Sequence, residues 1–448
     1  MSGSAVTDVP ARWSADQVLS LAPDVSAQRA ARALAGDQAW CEIGLSIEED
    51  LPPTLWGLCQ GSGTRPYQTC VDLTEPAYIC SCPSRKFPCK HTLAMLLRWA
   101  SGAVPEAPAP SWVREWQASR AERTSRAVAR TEARRSGGAG TGRAVSEKAT
   151  VRRAERVAAG LAELDRWLAD QLRTGVAGLA RQGYGHWDAM GARLVDAQAP
   201  GAARLVRNLA EYAGDPERLV VELGLLRLLV AGFARLDSLP PELAAIVRLR
   251  VGIPVSAEEV LAGPPVGDRW QVLGVHDEPE NDLLVRRVWL RGAQSGRAAL
   301  VLSFVGPGQV FVTDLVVGTE LPADLCFYPE RLRVLIARRH APAAPITTVA
   351  GAQGVRGAMR EYAAALAADP WLERWPMVLA EVVPAHLGSG RWCLASPEGE
   401  GVPLDPAVGA PWRLVAVAAG RPVTVAGEFT ATGLRPLSVW TDDRLVPL

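Results

Sequence analysis

The run YICSCPSRKFPCKH, Tyr78 to His91, gathers Cys80, Cys82, Cys89 and His91 in a chain that has only 8 cysteines and 5 histidines among 448 residues. Cys80 and Cys82 stand one residue apart on a predicted strand, so both side chains leave the same face. Cys89 and His91 have the same spacing at a predicted loop-to-helix junction. The intervening PSRKFP carries two prolines that stiffen the return. Three thiolates and one imidazole are soft-to-borderline donors, the set that structural zinc takes in closed tetrahedral sites. The stretch offers no hard oxygen donors for calcium or magnesium, and no fifth donor that would mark an open catalytic position. The alternative is cysteines that are merely buried or redox active.

Arg85, Lys86 and Lys90 surround this group, with Tyr67, Tyr78 and Phe87 close in sequence. One reading makes Arg85, Lys86, Lys90 and Phe87 contact residues for nucleic acid or another partner, the cations on phosphates and the ring stacking. The other makes the cations neutralise the net negative charge of three thiolates on a divalent ion, and has Phe87 pack on the finger's own helix.

The elements that must position these residues are short. Trp13–Leu21 and Ser26–Leu34 read as helices. Leu55–Gly61, Tyr67–Leu73 and Ala77–Cys82 read as strands, with Tyr67, Thr69, Val71 and Leu73 on one face of the second. TLAMLLRWA after His91 reads as a helix. A zinc-held unit of about fifty residues has too small a core to stand alone, so Cys89→Ala is expected to unfold it.

CSCPSRKFPCKH resembles the SWIM zinc finger, whose pattern is C-x-C, a variable gap, then C-x-H. The resemblance covers about Leu55 to Trp99. It implies a strand-strand-helix fold, one zinc held by Cys80, Cys82, Cys89 and His91, and a role in binding DNA or proteins. LWGLCQGSGTRPYQTCVDL resembles the lead-in of bacterial SWIM-containing proteins, as does, less specifically, WDAMGARLVDAQAPG at 187–201. No ATPase, transposase or kinase motif accompanies the finger.

The rest of the chain reads as an α+β multidomain protein. After a zinc module at 1–100 comes a Pro/Gly/Ala-rich stretch at 101–150, expected to be a linker. It is locally basic, with twelve Lys or Arg against five Asp or Glu over 111–156. A helical domain is expected over 151–263, where apolar residues recur from Val151 to Val176 at three- and four-residue spacing. Gly214-Asp215-Pro216 reads as a helix stop and start. The mainly-β region, 264–448, is expected to hold small barrels or sandwiches, with helices at 353–367 and 371–382. WQVLGV, LLVRRVWLRG, RAALVLSFVG, QVFVTDLVV, RWCLAS, RLVAVAA, PVTVAGEF and LSVWTDD read as its strands.

Apolar residues make up 48% of the chain and charged residues 21%, with 48 basic against 48 acidic side chains, so the composition is that of a globular protein with no overall pull toward polyanions. No secretory signal opens the chain, and the apolar span Leu219–Leu236 carries Glu222, Arg227 and Arg235, so a core helix is expected rather than a membrane span. The expected location is cytoplasmic. HDEPEND at 276–282 and Glu48-Glu49-Asp50 read as solvated turns, and the other histidines as isolated residues. The preferred reading is a non-catalytic zinc-binding recognition protein for nucleic acid or protein. Its rivals are an adaptor in an ATPase-type complex, and an enzyme with an unrecognised C-terminal site.

Overall fold

The computed structural model describes residues 12–22, 25–48, 51–60, 65–73, 77–84, 88–120, 142–179, 182–280, 283–306, 311, 314–441 and 444–448. Ser14 opens α1 (Ala15–Ser20) through a capping box: its hydroxyl accepts the Gln17 N–H at 3.2 Å, and its own N–H donates to Gln17 Oε1 at 2.7 Å. α2 (Val25–Leu34) follows, then four antiparallel strands paired in chain order: β1 (Trp40–Ser46), β2 (Thr54–Cys59), β3 (Tyr67–Asp72) and β4 (Ala77–Cys80). α3 (Lys90–Ala100) joins α1 and α2 on one face, where Trp13, Trp40, Leu93, Leu96 and Trp99 are buried together. β1 escapes the sequence pattern because a bulge between Trp40 and Glu42 breaks its alternation.

The expected linker at 101–150 does not begin at 101. Leu45 donates its N–H to Pro105 O at 2.8 Å and accepts the Ala107 N–H at 3.0 Å, so residues 105–107 run beside the outer edge of β1. α4 (residues 111–120) then covers the second face of the sheet, where Val113 packs with Trp56 and Cys70. Gln117 Nε2 donates to Thr54 Oγ1 at 2.7 Å, and Arg120 pairs with Asp72 at 3.1 Å. Glu48 is not a solvated loop residue: it accepts the Ala109 N–H at 2.7 Å and pairs with Arg114. Of the expected linker, 121–141 lies outside the described residues, and helix resumes at Gly142.

The helical domain comprises α5 (Gly142–Thr174), the single turn α6 (Val176–Leu179), α7 (Tyr184–Asp196), α8 (Pro200–Asn208), α9 (Pro216–Phe233), α10 (Pro241–Val251) and the short α11 (Ala257–Leu261). Of the predicted stripe, Val157, Leu161, Leu164 and Leu168 form the packed face of α5, buried with Trp187, Leu194 and Leu223, whereas Ala154 and Leu172 are exposed. Asp215 caps α9, accepting the Arg218 N–H at 3.0 Å, with Pro216 in the first turn. α9 is one-sided rather than fully sunk: Leu219, Leu223 and Leu226 are buried, while Val220, Val221 and Leu228 are exposed.

The C-terminal region is two small barrels. The first contains β5 (Val266–Glu280), β6 (Leu283–Gly292), β7 (Ala298–Val305), β8 (Thr319–Phe327) and β9 (Val334–Arg339), with β10 (Ala344–Pro345) also on β8. β8 pairs with both β5 and β9, and a parallel bridge from Leu300 in β7 to Arg333 closes the ring. After α12 (Val355–Ala368), the second contains β11 (Trp375–Gly388), β12 (Arg391–Ala395), β13 (Gly401–Pro403), β14 (Val423–Thr430) and β15 (Gly433–Thr441), with β16 (Arg444–Pro447) added to β15. It closes in the same way, through the parallel bridge Leu404–Leu434.

Three predicted elements differ. The second helix, expected at 371–382, is largely β11, where Pro376 is tolerated because β12 pairs only with residues from Val383 onward. RLVAVAA is helical, forming most of α13 (Trp412–Ala418), which buries Leu414 and Ala418 four residues apart. The described residues of QVFVTDLVV, Phe311 and 314–317, are not strand; β8 starts at Thr319.

The parts are docked on one another. Gln17 Nε2 donates to Gly318 O at 2.8 Å, and Val316 enters the core beneath α3, so the N-terminal domain sits on the barrels. The helical domain is held by the Arg250–Asp369 ion pair and by Trp371, which is buried in its core with Nε1 on Leu225 O at 2.9 Å. The barrels are pinned through Glu428 of β14. This fully buried carboxylate receives Trp289 Nε1 at 2.9 Å and Arg374 at 2.6 Å, and lies 3.5 Å from His276 Nδ1. HDEPEND is therefore more than a turn: β5 continues to Glu280, and Glu278 pairs with Arg287 and Arg374 at 2.8 and 2.9 Å.

Candidate metal centre

β4 ends on Cys80, opposite Thr69 of β3. The next residue is tied back, with Ser81 N–H on Gln68 O at 2.9 Å and its hydroxyl accepting the Gln68 N–H at 2.9 Å. The chain therefore stays extended long enough for Cys82 to face the same way as Cys80. Cys89 is the N-cap of α3, with extended backbone (φ −74°, ψ 165°), and its carbonyl accepts the first helical bond from Leu93 at 3.1 Å. Its side chain makes no cap bond and is free to turn toward the strand. His91, the second residue of α3, is 4% exposed and packs against the Tyr67 ring at a centroid distance of 5.0 Å.

The donor atoms of Cys80, Cys82, Cys89 and His91 lie within 4.8 Å of one another, the one such group among the described residues. His91 Nδ1 is 3.7 Å from Cys80 Sγ and 3.8 Å from Cys89 Sγ. A tetrahedral zinc with ordinary Zn–S and Zn–N bonds needs ligand separations of about 3.6 to 3.8 Å, so the set fits that ion with shifts of roughly 1 Å or less. The four donors fill the tetrahedron, which suits a structural rather than a catalytic ion.

Two hydroxyls that the motif does not contain touch the sulfurs: Thr69 Oγ1 at 3.2 Å from Cys80 Sγ, and Thr92 Oγ1 at 3.4 Å from Cys89 Sγ. Both threonines are fully buried. The signals for them were Thr69's place on the strand face opposite Cys80, and Thr92's position three residues past the helix cap. The Cys80 thiol donating to Cys89 holds Cys89 far below the ordinary thiol range, at about 3, against its burial and with help from His91 and Thr92. That bond and burial push Cys80 up, and burial also raises Cys82. Burial opposes free thiolates at Cys80 and Cys82, and a cation held by the three sulfurs would take the place of their protons.

Lys90 is exposed in the first turn of α3, beside the cluster. Arg85, Lys86 and Phe87 lie outside the described residues. Cys59, Cys70, Cys326 and Cys393 are buried, as their apolar settings suggest, and none of the 8 cysteines forms a disulfide. Burial lifts the Cys59 thiol to about 11. The remaining histidines are far from this cluster: His186 bonds Gln171 at 2.9 Å and His340 pairs with Asp324 at 2.9 Å. No described helix is long and apolar enough to cross a membrane.

The core behind the metal site draws on more of the chain than the fifty-residue unit expected from sequence, from Trp13 to Val104. Trp13, Trp40 and Trp99 are buried at its centre, and Val316 of the barrels contributes to it. A metal ion held by these four residues would therefore fasten one corner, the junction of β4 and α3, of a domain that has substantial packing of its own.

Two family models match the chain: the SWIM zinc finger over residues 78–100, and the SWIM-associated four-helix bundle domain over residues 152–251, which spans most of α5 through α10. No curated protein and no solved structure matches.

Proposed function

We propose that this SWIM-type zinc finger protein is a non-catalytic recognition protein, in which a zinc ion on Cys80, Cys82, Cys89 and His91 fixes a surface that docks nucleic acid or a protein partner. The closed, four-donor geometry carries this reading: with every position of a tetrahedral ion taken, the metal's work is to hold the turn between β4 and α3 in place. What it displays is the outer side of that turn. There Ile79 is 41% exposed and Ser81, Ser84 and Lys90 face solvent, while α1 of the same domain docks on the barrels through Gln17. The free thiols suit a reducing, cytoplasmic setting.

The test is capture of partners by the intact zinc-loaded protein from its own cells, with and without nuclease, beside the Cys89→Ser variant. Partners retained by the wild type and lost by the variant support the reading. Identical partner sets for both proteins would remove it. For nucleic acid, log affinity should fall with log salt by about 0.9 per duplex phosphate contacted.

A further inference from the structure

Both C-terminal barrels have one strand order. Numbering the five ring strands of each along the chain, strand one pairs with two and four, two with three, four with five, and three meets five in parallel. The closing contacts are direct: Leu300 N–H on Leu332 O at 2.7 Å in the first barrel, and Asp405 N–H on Leu434 O at 2.9 Å in the second. In the second, a helix, α13, fills the connection between strands three and four. This is the five-stranded Greek-key ring of OB barrels, which take extended polymeric ligands on strands two and three and on adjoining loops such as the one joining strands one and two.

In the first barrel that surface is closed. Trp289 and Leu300, on strands two and three, are buried against Leu437 and Trp375 of the second barrel. In the second barrel the mouth between strands one and two is open and aromatic. His386 and Trp392 face each other across the hairpin with ring centroids 4.9 Å apart, and Trp412 at the start of α13 meets Trp392 edge-on at 5.7 Å. Trp392 leans on the barrel's own core, but Trp412 is 67% exposed. Folding alone gives no reason to leave so large a ring in water.

Charge identifies what would cover it. Arg391 and Arg413, each adjacent in sequence to one of the tryptophans, are exposed and form no ion pair among the described residues. Elsewhere on this barrel Arg374 pairs with Glu278 and Glu428, and Arg435 with Asp405. The unneutralised arginines are thus the chain neighbours of Trp392 and Trp412, on the strand and the helix that carry those rings. Rings that accept flat faces, flanked by free guanidinium groups, match a strand of unstacked bases on a phosphate backbone. We infer that the mouth of the second barrel, built from His386, Trp392, Trp412, Arg391 and Arg413, binds single-stranded nucleic acid, with a base on Trp412 and phosphates on the two arginines. Neither family match reaches these residues, and the site is separate from the zinc.

The experiment is fluorescence anisotropy of the full zinc-loaded chain with a labelled single-stranded oligonucleotide about 12 nucleotides long, within the span of such barrels. Trp412→Ala should weaken binding by about 5- to 100-fold, as expected for the loss of one stacked base, and Trp412→Tyr should restore most of it. Arg391→Ala with Arg413→Ala should lower the slope of log affinity against log salt by about 0.7 for each phosphate lost. Circular dichroism and zinc content should stay at wild-type values, because all three side chains are exposed. Absence of single-strand binding overturns the inference. So does binding untouched by Trp412→Ala but abolished by Cys89→Ser, which would put the nucleic acid on the zinc module, and so does preference for an uncharged oligosaccharide.

Discussion

Replacing Glu428 by Gln should weaken the union of the two barrels in a way that disappears in acid. Burial alone would raise the pKa of this carboxyl. His276, Arg374 and Trp289 outweigh that and hold it down to about 2, from an ordinary 4.5. At about 1.4 kcal/mol per pKa unit, the ionised carboxylate contributes on the order of 3 kcal/mol to the folded state. A depressed acid gives stability that is complete above its unfolded pKa and is lost as pH falls through its folded pKa, so the window here runs from about pH 4.5 down to about pH 2. Gln keeps the shape and can still accept the Trp289 N–H, but it leaves Arg374 without its closest counter-charge. The expected result is a loss of roughly 3 kcal/mol at pH 7 that shrinks toward zero near pH 2. Denaturant unfolding of both proteins across this range, followed by tryptophan fluorescence, gives the difference directly, and acid release of zinc is common to the two. A penalty that is the same at pH 7 and pH 3 would refute the electrostatic pin.

Thr92→Val removes the hydroxyl beside Cys89 at nearly constant volume and should weaken zinc by about 10- to 100-fold in chelator competition, with Thr92→Ser close to wild type. Gly201→Ala should destabilise the helical domain by about 1 to 3 kcal/mol or more in thermal unfolding, because a Cβ there would lie 2.3 Å from Arg250 O and 2.8 Å from Gly252 N, both backbone atoms. Chelation of the intact protein should release amide protection around β4 and the first turn of α3, and leave Leu96 and Trp99 protected; exchange of the whole N-terminal sheet on chelation would restore zinc as the sole support of that domain.

The chemistry of the metal centre was legible because it is local: four scarce residues in two pairs, each pair placed by a strand or a helix start. Helices with strong punctuation were legible for the same reason, as at Asp215-Pro216. What failed was decided at long range. VPEAPAP has the composition of a tether, yet Pro105 needs only its carbonyl and Ala107 only its N–H to run beside Leu45, sixty residues earlier in the chain. RLVAVAA has the β-branched look of a strand, but Leu414 and Ala418 serve a helical face at the barrel's end. The expectation of small barrels came from strand spacing alone. The bridges that close them, Leu300 to Arg333 and Leu404 to Leu434, join strands about thirty residues apart and leave no mark in periodicity. Nor does sequence tell an exposed tryptophan from a buried one: Trp412 and Trp289 sit in similar apolar company, and only packing separates them.

The central claim is that one zinc ion binds Cys80, Cys82, Cys89 and His91. Elemental analysis of the full chain, purified under reducing conditions, should find one zinc per molecule and none in a folded Cys89→Ser variant. Wild-type protein without zinc, or a variant that keeps its full complement, would contradict it.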